Sequence, residues 1–230
     1  RDDVESRGLG DVYKRQQAAQ ALQARQDELT QTQIQLEQAL QQASTELDSQ
    51  QAAAEAQAAV TEEKRKAYEQ ATAALDAYLK AQSQKYQDPA RHCSLDFTCP
   101  LPSVGRISTY FGEPDAVYNK PHTGADMPAA SGTLIYAVAD GVVSAASARP
   151  SYGNCVQIDH GTADDGSSYA TLYAHMSSFC VSAGQTVHKG DVIGYVGNTG
   201  DVRGANGGYH LHLELRINGT RTDPLQYIPH

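Results

Sequence analysis

The chain has 230 residues, with 18 Lys and Arg against 27 Asp and Glu, for a formal charge of -9 at pH 7. That balance excludes a nucleic-acid binder, because affinity for phosphates comes from neutralising them with basic side chains. No run of eighteen uncharged apolar residues is present, so no segment reads as a membrane-spanning helix, and Arg1, Asp2 and Asp3 open the chain without the apolar core of a signal peptide.

Glycine and proline divide the chain into two kinds of polymer. Gly8 and Gly10 are followed by no glycine until Gly105, and the first proline is Pro89, so residues 11–88 lack both strong helix interrupters. The Ala/Gln/Glu-rich stretch from Gln16 to Tyr86 reads as one helix, roughly 100 Å long at about 1.5 Å per residue. Leu22, Leu29, Leu36, Leu40, Ala43, Leu47, Gln50 and Ala54 follow the a and d positions of a heptad repeat. After Gln57 the register shifts to a second stripe of Val60, Ala67, Ala71, Ala74 and Tyr78. A coiled coil is the expected state, its partner being another helix of the same native protein or a second chain. The alternative is a solvated single helix.

Residues 1–16, above all Ser6 to Gln16, resemble the translated sequencing-adapter tail found at broken sequence ends, and no function is read from them. The expected organisation is therefore a non-native tail over 1–16, a coiled-coil helix over 17–88, a linker over 89–100 and a second domain over 101–230.

Beyond Pro100 short apolar runs alternate with turn residues. Runs 133–139, 141–146, 155–159, 168–174, 192–196 and 209–217 are rich in Val, Ile and Tyr, and Asp140-Gly141, His160-Gly161, Lys189-Gly190 and Gly207-Gly208 mark turns. The fold class expected is mainly β: an antiparallel β-sandwich or partly open barrel behind a long helix. In 209–217, period two places Leu211, Leu213, Leu215 and Ile217 on one face. His210, His212, Glu214 and Arg216 share the other, a row of ionisable groups over a hydrophobic core.

A second polar cluster lies in His122-Thr123-Gly124-Ala125-Asp126-Met127-Pro128, read as a turn. Catalytic zinc takes three protein ligands from His and carboxylate and leaves the fourth position for water, a set that His122, Asp126 and His212 supply. The alternative is that these are satisfied surface polar residues. His175 ends the alternating run 169–174 and is placed to face the same groove. His160, His188, His92 and His230 read as turn or surface residues.

With these residues in view, the chain resembles the M23 zinc metallopeptidases, the lysostaphin and LytM-type endopeptidases of bacterial cell walls. The resemblance rests on His-x3-Asp at His122 and Asp126, His-x-His at His210 and His212, and Tyr-x-His at Tyr173 and His175. Gly141-Val142-Val143 and the run from Gln185 to Gly194 add to it, and together the motifs span roughly 101–228. The resemblance implies the LytM, or duplicated hybrid motif, type of fold. It also implies one Zn2+ held by His122, Asp126 and His212, with His175 and His210 as non-ligand catalytic histidines. Its substrates would be peptidoglycan stem or cross-bridge peptides. Glu214 is a rival base on the same strand face. Some coiled-coil members resemble non-catalytic activators of cell-wall amidases that have lost metal ligands, whereas here the whole set is present.

Four cysteines allow three pairings, of which the most local joins Cys93 to Cys99 and Cys155 to Cys180; no Cys-x2-Cys pair suggests structural zinc. Disulfides would place the protein outside the cytoplasm, extracellular or at the cell wall, with a native signal or anchor missing from this fragment. Tyr110, Tyr118, Tyr152, Tyr173, Tyr195 and Tyr209 lie near the motifs and suit either a peptide groove or ordinary sheet packing.

Overall fold

The computed structural model describes residues 2–114, 120–202 and 207–230, with side chains from residue 14 onward, so Tyr118 and the side chains of most of the adapter-like tail lie outside that description. Helix α1 runs Asp2–Tyr86 and stops where Pro89 forces Asp88 out of helical geometry. The chain forms two compact units, Arg1–Glu63 and Lys64–His230.

The first unit is helix alone. Leu22, Leu29, Leu36, Leu40 and Leu47 are all exposed, Leu40 by 71 %. Its helicity rests on composition and on side-chain pairs one turn apart, such as Gln23 to Asp27 and Gln33 to Glu37.

Among the described residues the second unit holds the last turns of α1 and nine strands: β1 Ala125–Pro128, β2 Leu134–Tyr136, β3 Gly141–Arg149, β4 Gly153–Thr162, β5 Ser168–Phe179, β6 Thr186–Val187, β7 Val192–Val196, β8 His210–Ile217 and β9 Thr220–Thr222. All the pairings between these strands are antiparallel. The main path runs β1-β8-β5-β4-β3-β6, with β9 on β8 and β7 bridging β5 and β2. This is a multi-stranded, partly open sheet with a long helix before it.

The two faces of the sheet have different cover. Leu211, Leu213 and Leu215 point into the main core with Met127, Ile135, Ile158, Tyr173 and Ile193, as period two in β8 requires. On the opposite face Leu75 and Leu79 of α1 pack on Ala145, Cys155, Leu172 and Ala174. Burying each leucine contributes roughly 1.5–3 kcal/mol. The stretch 93–101 is also part of the core, through Cys93, Phe97 and Leu101.

Several expectations are corrected. The packing stripe of α1 centres on Leu75 and Leu79, with the expected Ala71 and Tyr78 partly buried beside them along with Thr72 and Ser83, while Val60, Ala67 and Ala74 are exposed; alanines give little contrast between faces, and the two leucines decide. Asp126 lies on a strand, β1, whose only ladder among the described residues is with β8; its other side is bridged at Asp126 by Thr109, and Pro128, the last residue of the strand, lies beyond that bridge. β5 does not end at His175. There it changes neighbour, from β8 at Ala174 to β7 at Met176, and His175 takes φ 58° at the switch. His160 is buried, its Nδ1 donating to the Asp140 carbonyl at 2.8 Å, with the Thr171 hydroxyl 2.8 Å from Nε2. Tyr173 is a core residue whose hydroxyl accepts from the Val138 N–H at 3.0 Å.

All four cysteines are free thiols, so neither expected disulfide forms. Cys155 faces the helix side of β4 among Leu75, Leu79 and Leu172, and its Sγ donates to the Ser147 carbonyl. Asn154 pairs with Met176, which leaves Cys180 four residues farther along β5, about 13 Å away at strand rise and beside β7. Cys93 is fixed to the Thr162 carbonyl at the end of β4, while Thr98, next to Cys99, is tied to Val138 in the β2–β3 connection, so the two residues are anchored at different places.

Candidate metal centre and catalytic groove

Adjacent strands bring the cluster together. Asp126 on β1 stands directly opposite His212 on β8, and Ala174 on β5 flanks His212 on the other side. His122 precedes β1 in a segment clamped to residues 109–114, its N–H donating to the Glu113 carbonyl and its carbonyl accepting from Gly112. Gly124 allows this close approach: a Cβ there would lie 2.2 Å from the Leu213 carbonyl oxygen and 3.1 Å from the His212 ring.

Three donor atoms converge. His122 Nε2 lies 3.1 Å from His212 Nδ1 and 3.2 Å from Asp126 Oδ1, and His212 Nδ1 lies 2.8 Å from Asp126 Oδ1. A tetrahedral metal about 2.0–2.1 Å from each donor sets donors about 3.3 Å apart, so this triangle fits zinc after adjustments of a few tenths of an ångström. The reverse sides of both rings agree. His122 Nδ1 lies 3.3 Å from the Tyr110 carbonyl, an acceptor only, so it donates there and leaves Nε2 a lone pair. His212 Nε2 faces Glu214 Oε1 at 3.5 Å and the Thr123 hydroxyl at 3.4 Å, leaving Nδ1 for a metal. A carboxylate behind a histidine ligand fixes its tautomer and raises its basicity. His122, Asp126 and His212 thus form a site for a single Zn2+.

The field at that point favours positive charge. Burial alone would raise the Asp126 carboxyl, but hydrogen bonds from His122 and His212 hold it far below the usual carboxylate range. Burial likewise opposes charge on His212, yet Asp126 and Glu214 push its imidazole up to about 9. Two carboxylates that stabilise a buried imidazolium stabilise a bound cation by the same field.

His175 and His210 line the same cleft, of about 200 Å³, without joining the triangle. Their rings stand 4.8 Å apart. His175 Nδ1 donates to the Thr199 carbonyl at 2.8 Å, and His210 Nδ1 to the Gly208 carbonyl at 2.7 Å. Nε2 is thus the remaining ring nitrogen of each, and that of His210 stands 3.6 Å from Asp126 Oδ1. Burial first, then the neighbouring His212 and His210, push His175 down to about 3, so it is neutral at ordinary pH.

Glu214 is fully buried and accepts from Tyr152, Arg216 and Arg221, with oxygen-to-donor distances of 2.6, 2.7 and 3.1 Å. Burial would raise its carboxyl, but His212 and the two arginines override that and hold it below the usual range. It stands behind His212, not in the cleft. Tyr152 stacks edge-on against His212 at 5.5 Å and lines the cleft. Sequence reasoning missed Thr123, Thr199, Arg221 and Asp76; none carries a spacing signal, since each reaches the site from a different element.

Two histidines and an aspartate converging as one metal triangle, with His175 and His210 alongside, define a metallohydrolase-type centre. Comparison places it further. Residues 120–224 match the profile of peptidase family M23, so this β-rich part is similar to the domain of that family. The DD-carboxypeptidase/endopeptidase Mpg of Neisseria meningitidis serogroup B is 42 % identical over 123 residues, covering 52 % of this chain and 26 % of Mpg. The murein hydrolase activator NlpD of Escherichia coli is 34 % identical over 129 residues, covering 56 % and 30 %. A Pseudomonas aeruginosa crystal structure assigned to peptidase M23 superposes with a TM-score of 0.54 at 29 % identity, covering 69 % of this chain and 59 % of that one. The chain thus spans between a quarter and a third of the length of these two curated relatives.

Proposed function

We propose that the protein is a zinc-dependent endopeptidase that hydrolyses peptide bonds in peptidoglycan stem or cross-bridge peptides during wall remodelling or division. The observation that carries this reading is the pairing of an intact metal triangle with two further imidazoles in one cleft, each with its Nδ1 tied to a backbone carbonyl. Bound zinc supplies a Lewis acid and lowers the pKa of water toward about 7.

The chain's own residues supply the rest. An imidazole whose Nδ1–H is held by a carbonyl accepts a proton at Nε2 from the attacking water and, once protonated, donates it to the leaving amine. The other imidazole hydrogen-bonds the developing oxyanion through Nε2 only in its doubly protonated form, because its Nδ1–H is committed to a carbonyl. His175 and His210 are built alike for these two parts. Glu214 is excluded as base by position, since its oxygens are occupied behind His212.

The substrate's place implies an extracellular or cell-wall-associated protein. No helix among the described residues is long and apolar enough to cross a membrane. The exposed heptad leucines of residues 22–47 fit a helical partner, from the same native protein or a division or cell-wall protein. A second reading, a non-catalytic activator of wall hydrolases, is favoured by the likeness to NlpD, and the complete donor set weighs against it. Digestion of purified cell walls followed by mass spectrometry separates the two. New amine and carboxylate ends within the peptides are expected; zinc-loaded protein that binds walls and releases nothing would establish the activator.

A further inference from the structure

Helix α1 reaches the metal triangle through an unbroken chain of charge. Asp76, on the helix face that carries Leu75 and Leu79, accepts two parallel hydrogen bonds from Arg221, Nη2 to Oδ1 at 2.7 Å and Nη1 to Oδ2 at 2.9 Å. Its Oδ1 also accepts from Arg216 Nη2 at 2.9 Å. The same two guanidiniums hold Glu214: Arg216 through Nη2 at 2.7 Å, Arg221 through Nε at 3.1 Å. Glu214 Oε1 in turn stands 3.5 Å behind Nε2 of His212. The Tyr152 hydroxyl closes the ring, donating to Glu214 at 2.6 Å and accepting from Arg221 at 3.2 Å.

The charges balance only with the helix in place. Two guanidiniums face two carboxylates, one from β8 and one from α1. Without Asp76, two buried or half-buried cations share Glu214 alone, and the surplus positive charge lies beside a site that must accept a divalent cation. Arg216 and Arg221 would also turn toward solvent to rehydrate their freed N–H groups, carrying Glu214 off the axis of His212. Groups that orient a metal ligand from behind change metal affinity about 10- to 100-fold when removed.

We infer that Asp76 is a positioning residue for the metal ligand His212, acting through Arg216, Arg221 and Glu214, so that docking of α1 on the sheet and zinc retention are coupled. This rests on the metal triangle and not on the peptidase reading. Coupling of this kind is reciprocal: a seated helix tightens zinc, and zinc tightens the seat of the helix. The C-terminal turns of α1 thereby become part of the metal site.

The test uses the full chain. Zinc dissociation constants for wild type, D76A, D76N and D76E, by competition with a chromophoric chelator, should show about tenfold weaker binding in D76A and D76N, with affinity restored in D76E. The visible spectrum of the cobalt-substituted protein should change in D76A and D76N and not in D76E, a signature that loss of helix packing alone does not produce. In wild type, added zinc should slow amide hydrogen exchange over 68–82, and in D76N it should not. Wild-type zinc affinity and an unchanged cobalt spectrum in D76N would overturn the proposal, as would wild-type zinc affinity in a D76A protein whose helix has come away. Because neither readout needs turnover, a chain that failed to cut cell walls would leave this result standing.

Discussion

His175 Nδ1 donates to the Thr199 carbonyl at 2.8 Å, and Thr199 is itself stapled between two strands. Its hydroxyl donates to the Met176 carbonyl at 2.7 Å and accepts from the Asn154 N–H at 2.9 Å. Gly153, at φ 61°, makes room: a Cβ there would stand 2.2 Å from the Thr199 hydroxyl and 2.3 Å from its carbonyl carbon and oxygen. G153A should therefore push Thr199 away and turn the His175 ring, with zinc content unchanged. Since about 1 Å of misplacement costs as much as 10²-fold in rate, kcat should fall by about that factor. Wild-type kcat in zinc-replete G153A would break the link from Thr199 to His175.

H175A and H210A should each keep one zinc per chain and lose about 10²- to 10⁴-fold in turnover, the usual cost of removing a general acid or base. H212A should instead lose the metal, because His212 sits at the centre of the triangle between Asp126 and Ala174. Metal analysis beside single-turnover kinetics checks both. Zinc retained near one per chain in H212A, or lost in H175A with the fold intact, would reverse the assignment of ligand and auxiliary histidines.

Much of the site was legible because strand β8 obeys period two without interruption. That alternation sorted Leu211, Leu213 and Leu215 from His210, His212 and Glu214, and the short His122 to Asp126 spacing offered the remaining ligands. Strand β1 was not legible, because Gly124 and Pro128 signal a turn unless the strand is an edge. His160 escaped for a similar reason: Gly161 beside it marks a turn, yet the ring fills the core against Phe97. The cysteines misled because nearness in sequence says nothing of where a side chain points, and Cys155 points toward α1. Asp76 and Arg221 could not be found at all by spacing, since they meet Glu214 from opposite ends of the unit.

Glu214 should behave as a support and not as a base. E214A leaves two guanidiniums without their buried partner, which typically costs about 3–5 kcal/mol, and it removes the carboxylate behind His212, so zinc affinity should fall about 10- to 100-fold. Thermal melts and chelator competition read these two losses separately. A stable, zinc-replete, inactive E214A would be the mark of a catalytic base and would contradict its placement.

Reductant should not matter. With four free thiols, of which Cys180 alone is exposed, one cysteine should react readily with a thiol reagent in the native protein and the other three on unfolding. Burial pushes the Cys155 thiol up to about 11, which keeps it a protonated, unreactive thiol at neutral pH. Melts with and without reductant should coincide. Non-reducing peptide mapping that recovered a 155–180 pair would show that the strands carrying them are arranged otherwise.

His160 should give the domain an acid-sensitive step. Burial is the largest influence on the ring, and it pushes the imidazole down from 6.5 to about 4; the Asp140 carbonyl and the Asp159 carboxylate oppose the shift, and Arg91 adds to it. A folded pKa below the unfolded one means that the unfolded chain binds more protons between these two values. The contribution is therefore fully present above about pH 6.5 and is lost progressively as pH falls toward 4. At about 1.4 kcal/mol per unit the full loss is about 3 kcal/mol. H160Q keeps a polar side chain of similar reach and cannot titrate, so it should be less stable than wild type at pH 7 while losing less stability on acidification. Urea unfolding at intervals from pH 7 to pH 4 checks this as the difference between the two proteins, which cancels the titration of the metal-site histidines common to both. Parallel stability curves over that range would show that His160 is protonated as easily in the folded chain as in the unfolded one, and would place the acid sensitivity elsewhere.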